Sequence, residues 1–360
     1  MSLSLGIVGL PNVGKSTLFA ALTRNEVEIA NYPFATIDPN IGVVEVPDER
    51  LQKLAELSHS AKVVPTIIEF ADIAGLVKGA HEGEGLGNQF LSHIREVDAI
   101  VYVVRAFEAS DIQHVEESVD PIRDSETVRS ELALKDLETL EKRLVSAAKE
   151  ARGGDKDAMK ELEILQKWQE VLDSGVHIYE YVRDNGLLVD APTQRVMRTL
   201  QLLTAKPAIY LVNTHNGVVG EELKAYIEAL GYGYVAMDAR AELETAAMSA
   251  DERQELGLGE SAVPTLIKTA YETLGLITFL TTGADETRAW TTHKGSTAPQ
   301  AAGVIHTDFE QKFIRAEVVQ WDKLLEANGW SEARAKGLIR TEGKGYIMQD
   351  GDVVVILHSA

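Results

Sequence analysis

Residues Gly9-Leu10-Pro11-Asn12-Val13-Gly14-Lys15-Ser16 have the types and spacing of a loop that handles phosphate. The glycines let backbone amides turn inward toward phosphate oxygens, the Lys15 ammonium neutralises the outer phosphates, and the Ser16 hydroxyl can coordinate magnesium. The chemistry open to this set is binding of a nucleoside triphosphate and in-line attack by water on its γ-phosphate. Lys15 and the metal would stabilise charge on the transferring group. A Gly-rich turn of this pattern also arises by chance, so the flanks decide. The apolar run Leu3 to Val8 precedes it and Lys15 to Leu22 continues as an amphipathic helix, the strand-loop-helix arrangement that a phosphate cradle needs.

Asp72-Ile73-Ala74-Gly75 ends a second apolar run, Ile67 to Phe70. Alone it reads as a turn; downstream of a phosphate loop, Asp72 is placed to hold magnesium through water, and the Gly75 amide to bond the γ-phosphate and reverse when it leaves. Between the two motifs lies the polar, Pro-punctuated loop Asn31 to Pro39, in which Thr36 would complete the metal coordination. Leu76 follows Gly75 where related hydrolases carry a glutamine that orients the attacking water. Leucine cannot hydrogen-bond water, so hydrolysis is slow or another group positions the nucleophile. Candidates are the segment Gly79 to Gly87 and His114, although a lone histidine is more often a surface residue.

Base choice falls to Asn213-Thr214-His215-Asn216, after the run Ala208 to Val212. GTP-reading proteins place Asn-Lys-x-Asp here, because a carboxylate accepts two hydrogens from the guanine edge. Asn216 offers one neutral carbonyl and a competing amide donor, so guanine discrimination should be lost and adenine admitted.

The elements that must carry these residues are apolar, β-branched runs at Leu3–Val8, Ile41–Val46, Val64–Phe70, Ala99–Val104, Pro207–Val212 and Tyr234–Met237, separated by helical patterns. They predict an α/β domain with a mostly parallel sheet and helices on both faces. Between the fourth and fifth runs, Ala133, Leu137, Leu140, Leu144, Ala147 and Ala151 keep helical spacing. Gly153-Gly154-Asp155 breaks the pattern, and Met159, Leu162, Leu165, Trp168 and Leu172 resume it. This predicts an inserted helical hairpin with Trp168 and Met159 in its core. Beyond residue 275, short strands and Gly-rich turns predict a separate α+β domain in which Trp290 and Phe313 are core residues. The expected division is 1–124 with 203–275, an insertion at 125–202, and 276–360.

Composition narrows the function. Hydrophobic residues make up 45% of the 360, and no apolar run approaches the ~20 that a membrane helix needs. The N-terminus lacks a basic segment followed by an apolar stretch, so the expected location is cytoplasmic, with no membrane partner. The absence of cysteine removes disulfides, thiolate metal sites and cysteine nucleophiles. A net charge of -21 disfavours a protein that coats nucleic acid. From Arg288 to Gly345, however, nine Lys or Arg stand against seven Asp or Glu, a local +2 that suits an RNA or ribosome contact.

The stretches Gly6 to Phe19, Asp72 to Ala80, Gly83-Glu84-Gly85-Leu86-Gly87-Asn88-Gln89-Phe90 and Ala298-Pro299-Gln300-Ala301-Ala302-Gly303-Val304-Ile305-His306-Thr307-Asp308-Phe309-Glu310 resemble the YchF or Obg-like ATPase family along essentially the whole chain. The resemblance implies a P-loop NTPase fold of the translation-factor class, with a coiled-coil insertion and a C-terminal β-grasp (TGS) domain. It implies ATP hydrolysis in preference to GTP, association with ribosomes (the large subunit included), and magnesium. By the resemblance Asn12, Val13, Gly14, Lys15, Ser16 and Thr17 wrap the phosphates, and Ser16 and Thr36 hold magnesium with Asp72 behind them. Gly75 meets the γ-phosphate, Asn213 and the backbone of Thr214 meet the base, and His114 is catalytic beside Lys15. The family's potassium dependence would make Asn12 a potassium ligand. The family pattern at the base is Asn-x-x-Glu, from which Asn216 departs. A GTPase, an NTPase that barely discriminates, and a nucleotide-gated scaffold with incidental hydrolysis are the alternatives.

Overall fold

The computed structural model describes residues 3–24, 40–73, 93–108, 118–215 and 217–359. Its first sheet has six strands, β1 (Leu3–Val8), β2 (Ile41–Glu45), β4 (Ile67–Asp72), β5 (Ala99–Arg105), β6 (Ala208–Asn213) and β7 (Gly233–Met237), in the order β2-β4-β1-β5-β6-β7. All neighbours run parallel except β2, which is antiparallel to β4. Every residue of β5 and β6 is buried. That is why both strands read as unbroken apolar runs: a parallel strand covered on both faces has no solvent side to alternate toward. The covering helices include Lys15–Thr23, Pro121–Ala151, Glu221–Ala229 and Val263–Thr273, whose Leu18, Leu132, Ile227 and Leu266 join the strand side chains in one core.

The run expected as one strand, Val64 to Phe70, divides. Lys62–Val64 forms β3, which pairs parallel with β9 (Glu286–His293) in a second sheet, while β4 pairs with β1 in the first. Pro65 lies at the break; it has no N–H to give a ladder, so the chain can change sheets there. The second sheet also contains β8 (Leu276–Thr282), β10 (Phe313–Gln320), β11 (Arg340–Glu342) and β12 (Asp352–His358), in the order β11-β10-β12-β8-β9-β3. One cluster of its side chains packs on the helix Ala298–Ile305. Another packs on the helix Glu49–Ser58 through Leu51 and Leu54. The C-terminal α+β unit is therefore completed by a segment from early in the chain. Arg50 reinforces the junction, bonding Asp48 at 2.7 Å and Asp350 at 2.5 Å. Phe313 is buried, and Trp290 stacks near-parallel on Phe279 at 6.4 Å with its indole N–H donated to Thr281 Oγ1.

The insertion opens with the 31-residue helix Pro121–Ala151, capped by Asp120, which accepts from the N–H groups of Ile122 and Arg123. Gly154, at φ 81°, turns the chain, and Asp155 caps the returning helix Lys156–Asp173. Two shorter helices follow, Ile178–Asp184 and Ala191–Leu200. Leu140, Ala147, Leu165, Trp168 and Leu172 form the shared core with Ile178, Val182 and Val196. Trp168 is where its spacing put it. Met159 is not; it is 49% exposed, because Ala158 takes the core position and the next residue lies about 100° around the helix. At the return to the sheet, buried Asp136 accepts from the N–H groups of Leu203 and Thr204 and from the Thr204 hydroxyl.

Candidate active site

The phosphate loop is shaped by its glycines. Gly14 has φ 103°, and a Cβ there would lie 2.2 Å from the Asn213 amide nitrogen. At Gly9 a Cβ would lie 2.5 Å from the Val103 carbonyl oxygen, so the loop presses against β5 and only glycine fits. The helix Lys15–Thr23 starts immediately after Gly14, which aims its first N–H groups at the mouth of the loop.

Lys15 is buried, and its ammonium donates to the carbonyls of Gly9 at 3.1 Å and Leu10 at 2.7 Å. Burial pulls its pKa down to about 8, with Asp72 opposing the shift. Ser16 donates its hydroxyl to Asp72 Oδ2 at 3.3 Å, across a gap of 56 positions in sequence. The end of β4 and the start of the helix thus place a hydroxyl and a carboxylate side by side. Asn12, at φ 63°, lies exposed on the loop, Val13 is buried beneath it, and Thr17 is half-buried in the first helical turn.

Asn213 ties three loops together. Its amide donates to the Val13 carbonyl at 2.9 Å, and its Oδ1 accepts the Ala239 N–H at 3.1 Å. The Thr214 N–H is donated to the Met237 carbonyl, and the Thr214 hydroxyl is turned to the carbonyls of His215 and Val218. Both residues, expected to meet the base, here have these polar groups committed to protein partners. In this arrangement Asn213 acts on the position of the loop.

Thr36, Gly75 and His114, with Leu76 and Asn216, lie outside the described residues. The structure adds groups that reading along the sequence passed over. The His215 ring lies 4.3 Å from that of Phe107, the Arg105 guanidinium sits 4.7 Å from the Phe107 ring centre, and His215 Nδ1 is 3.2 Å from Asp238 Oδ2. The one local signal was Asp238 directly before Ala239, a capping residue ahead of the helix Ala239–Thr245.

Residues 4–136 match a family model described as 50S ribosome-binding GTPase, and residues 276–359 match the YchF-GTPase_C model, described as a protein of unknown function (DUF933). The ribosome-binding ATPase YchF of Bacillus subtilis is 49% identical, covering 98% of each chain, and that of Escherichia coli O157:H7 is 45% identical, covering 99% of each. The solved structure of the Schizosaccharomyces pombe YchF GTPase superposes with a TM-score of 0.80 at 39% identity, covering 99% of this chain and 98% of that one. With these likenesses along its full length, and with a phosphate loop closed by Lys15, Ser16, Asp72 and Asn213, the chain belongs to the YchF family.

Proposed function

We infer that the chain is a ribosome-binding ATP hydrolase that changes conformation with its nucleotide and works in the cytoplasm. The observation that carries the reading is the meeting of Lys15, Ser16 and Asp72 at the entrance of the Lys15–Thr23 helix, in a chain whose relatives are named ribosome-binding ATPases. The donor set suits magnesium: a hydroxyl and a carboxylate 3.3 Å apart are hard oxygen ligands, and this ion is usually held by one or two such groups together with substrate phosphates. When bound, it would neutralise charge on the β- and γ-phosphates. Thr36 and Gly75 are proposed to close over the same phosphates, and His114 to act on the attacking water. Potassium at Asn12 is carried by the resemblance alone. Among the described residues no helix is long and apolar enough to cross a membrane.

Lys15 would exchange the Gly9 and Leu10 carbonyls for phosphate oxygens. Its lowered pKa, about 8, means that part of the ammonium loses its proton in the free protein at mildly alkaline pH. The triphosphate favours the charged form, so binding near pH 8 should take up protons. Calorimetry in buffers of different ionisation enthalpy reads this directly, and the uptake should vanish in Lys15→Arg, whose guanidinium stays charged. Unchanged uptake in that variant would assign the proton elsewhere.

A second reading, hydrolysis of GTP or of both purines, is favoured by the GTPase names of the matching family model and of the fission-yeast structure. The absence of any carboxylate from Asn213-Thr214-His215-Asn216 weighs against it. One experiment tests base and partner together: sedimentation of the full-length protein with isolated large and small ribosomal subunits, with labelled ATP or GTP. ATP should be retained over GTP, and the protein should pellet with large subunits. Added salt should weaken the contact if the locally basic stretch 288–345 contributes. A hundredfold preference for GTP would overturn the base assignment, and protein left in the supernatant in every nucleotide state would overturn the partner.

A further inference from the structure

The strand order decides which way a nucleotide lies. Asp72 ends β4 on one side of β1, where with Ser16 it would hold the metal; a bound nucleotide's sugar and base would then run the other way, over the carboxyl ends of β5, β6 and β7. The loops after β6 and β7 meet at that end. Asn213 is in register with Met237, Asn213 Oδ1 holds the Ala239 N–H, and His215 Nδ1 lies 3.2 Å from Asp238 Oδ2. Asp238 Oδ1 caps the N–H groups of Arg240 and Ala241, which fixes the carboxylate, and 28% of the side chain stays open to solvent.

We propose that Asp238 is a specificity-determining residue that accepts a hydrogen from the 6-amino group of adenine and repels the 6-oxo group of guanine. This rests on the ATP hydrolase reading above. An ionised carboxylate only accepts, and at position 6 adenine offers a donor where guanine offers an acceptor. The Ala239 N–H, the backbone donor next to Asp238, is taken by Asn213 Oδ1 and so is not offered to a 6-oxo group. The base-reading tetrapeptide 213–216 contains no acidic residue, and Asp238, directly after the neighbouring strand β7, returns a carboxylate to this edge. The contact with His215 also holds the Asp238 carboxylate in place, with the His215 ring braced against Phe107.

The test is Asp238→Asn in the full-length protein, since asparagine caps a helix as well as aspartate does; a thermal melt checks the fold, and Asp238→Ser is the second variant should asparagine fail. Calorimetry with magnesium compares ATP, GTP and purine riboside triphosphate, which has no 6-amino group. ATP affinity should fall by about tenfold to a hundredfold, the range for a hydrogen bond to a charged group. GTP should bind unchanged or more tightly, and purine riboside triphosphate should be indifferent to the substitution. An unchanged ATP to GTP ratio overturns the proposal, as does weakening of GTP alone, which would mean that the carboxylate reads the other edge of guanine. Wild-type protein that binds none of the three refutes the underlying reading instead.

Discussion

Lys15→Ala should lower single-turnover ATP hydrolysis by on the order of 10²–10³ at saturating nucleotide, the usual loss when one preorganised donor to a developing anion is removed. The ammonium sits at the base of the loop, donating to the Gly9 and Leu10 carbonyls, so in the free protein it is held close to its working place and desolvated. Once nucleotide binding has exchanged those carbonyls for phosphate oxygens, charge that accumulates on the transferring phosphoryl group meets a cation already in place. The same burial gives the control. A buried ammonium with a lowered pKa is a cost to the fold, fully present below pH 8 and relieved as pH rises from there toward the lysine's ordinary value near 10.5. Alanine removes that cost along with two hydrogen bonds, so the unliganded variant should melt close to wild type at neutral pH. Loss of turnover with the fold intact places Lys15 in the chemistry. Turnover equal to wild type would remove it.

Gly14→Ala should cost on the order of a hundredfold in nucleotide affinity. Two terms add. A left-handed φ of 103° disfavours any L side chain by roughly 1–2 kcal/mol. The new Cβ would also meet the Asn213 amide at 2.2 Å, and Asn213 can leave only by releasing the Val13 carbonyl and the Ala239 N–H. A buried polar group left unpaired costs about 1–3 kcal/mol. The loop would lose its shape and the base-side loops would lose their tie to it at once. A double-mutant cycle with Asn213→Ala separates the terms. If the collision contributes, Gly14→Ala costs a protein already lacking the Asn213 amide only the backbone term, and the two losses are non-additive. Simple additivity would mean that Gly14 works through backbone conformation alone.

Which parts of this could be read in advance follows from the range of the interactions. The phosphate loop is eight contiguous residues whose glycines, lysine and serine each answer a local demand of charge or sterics, and its flanking strand and helix are patterned over a few turns. The fully buried β5 and β6 announced themselves because strands covered on both faces must be apolar throughout. The hairpin, with Trp168 in its core, was visible in the helical period. Met159 was misjudged because a spacing of three or four does not say which of two adjacent residues faces inward near a helix start.

By itself, then, the order of residues determined a triphosphate loop on a mostly parallel sheet, with a helical insertion and a C-terminal α+β unit, since each leaves its mark in apolar period, glycine spacing or charge within a short stretch of chain. Tertiary structure alone decided that Pro65 divides one apolar run between two sheets, that Ser16 meets Asp72, and that Asn213 reaches back 200 positions to hold Val13. It alone brought Asp238 beside His215. Side chains so far apart along the chain become neighbours only when strands pair, and no local pattern records which strands will.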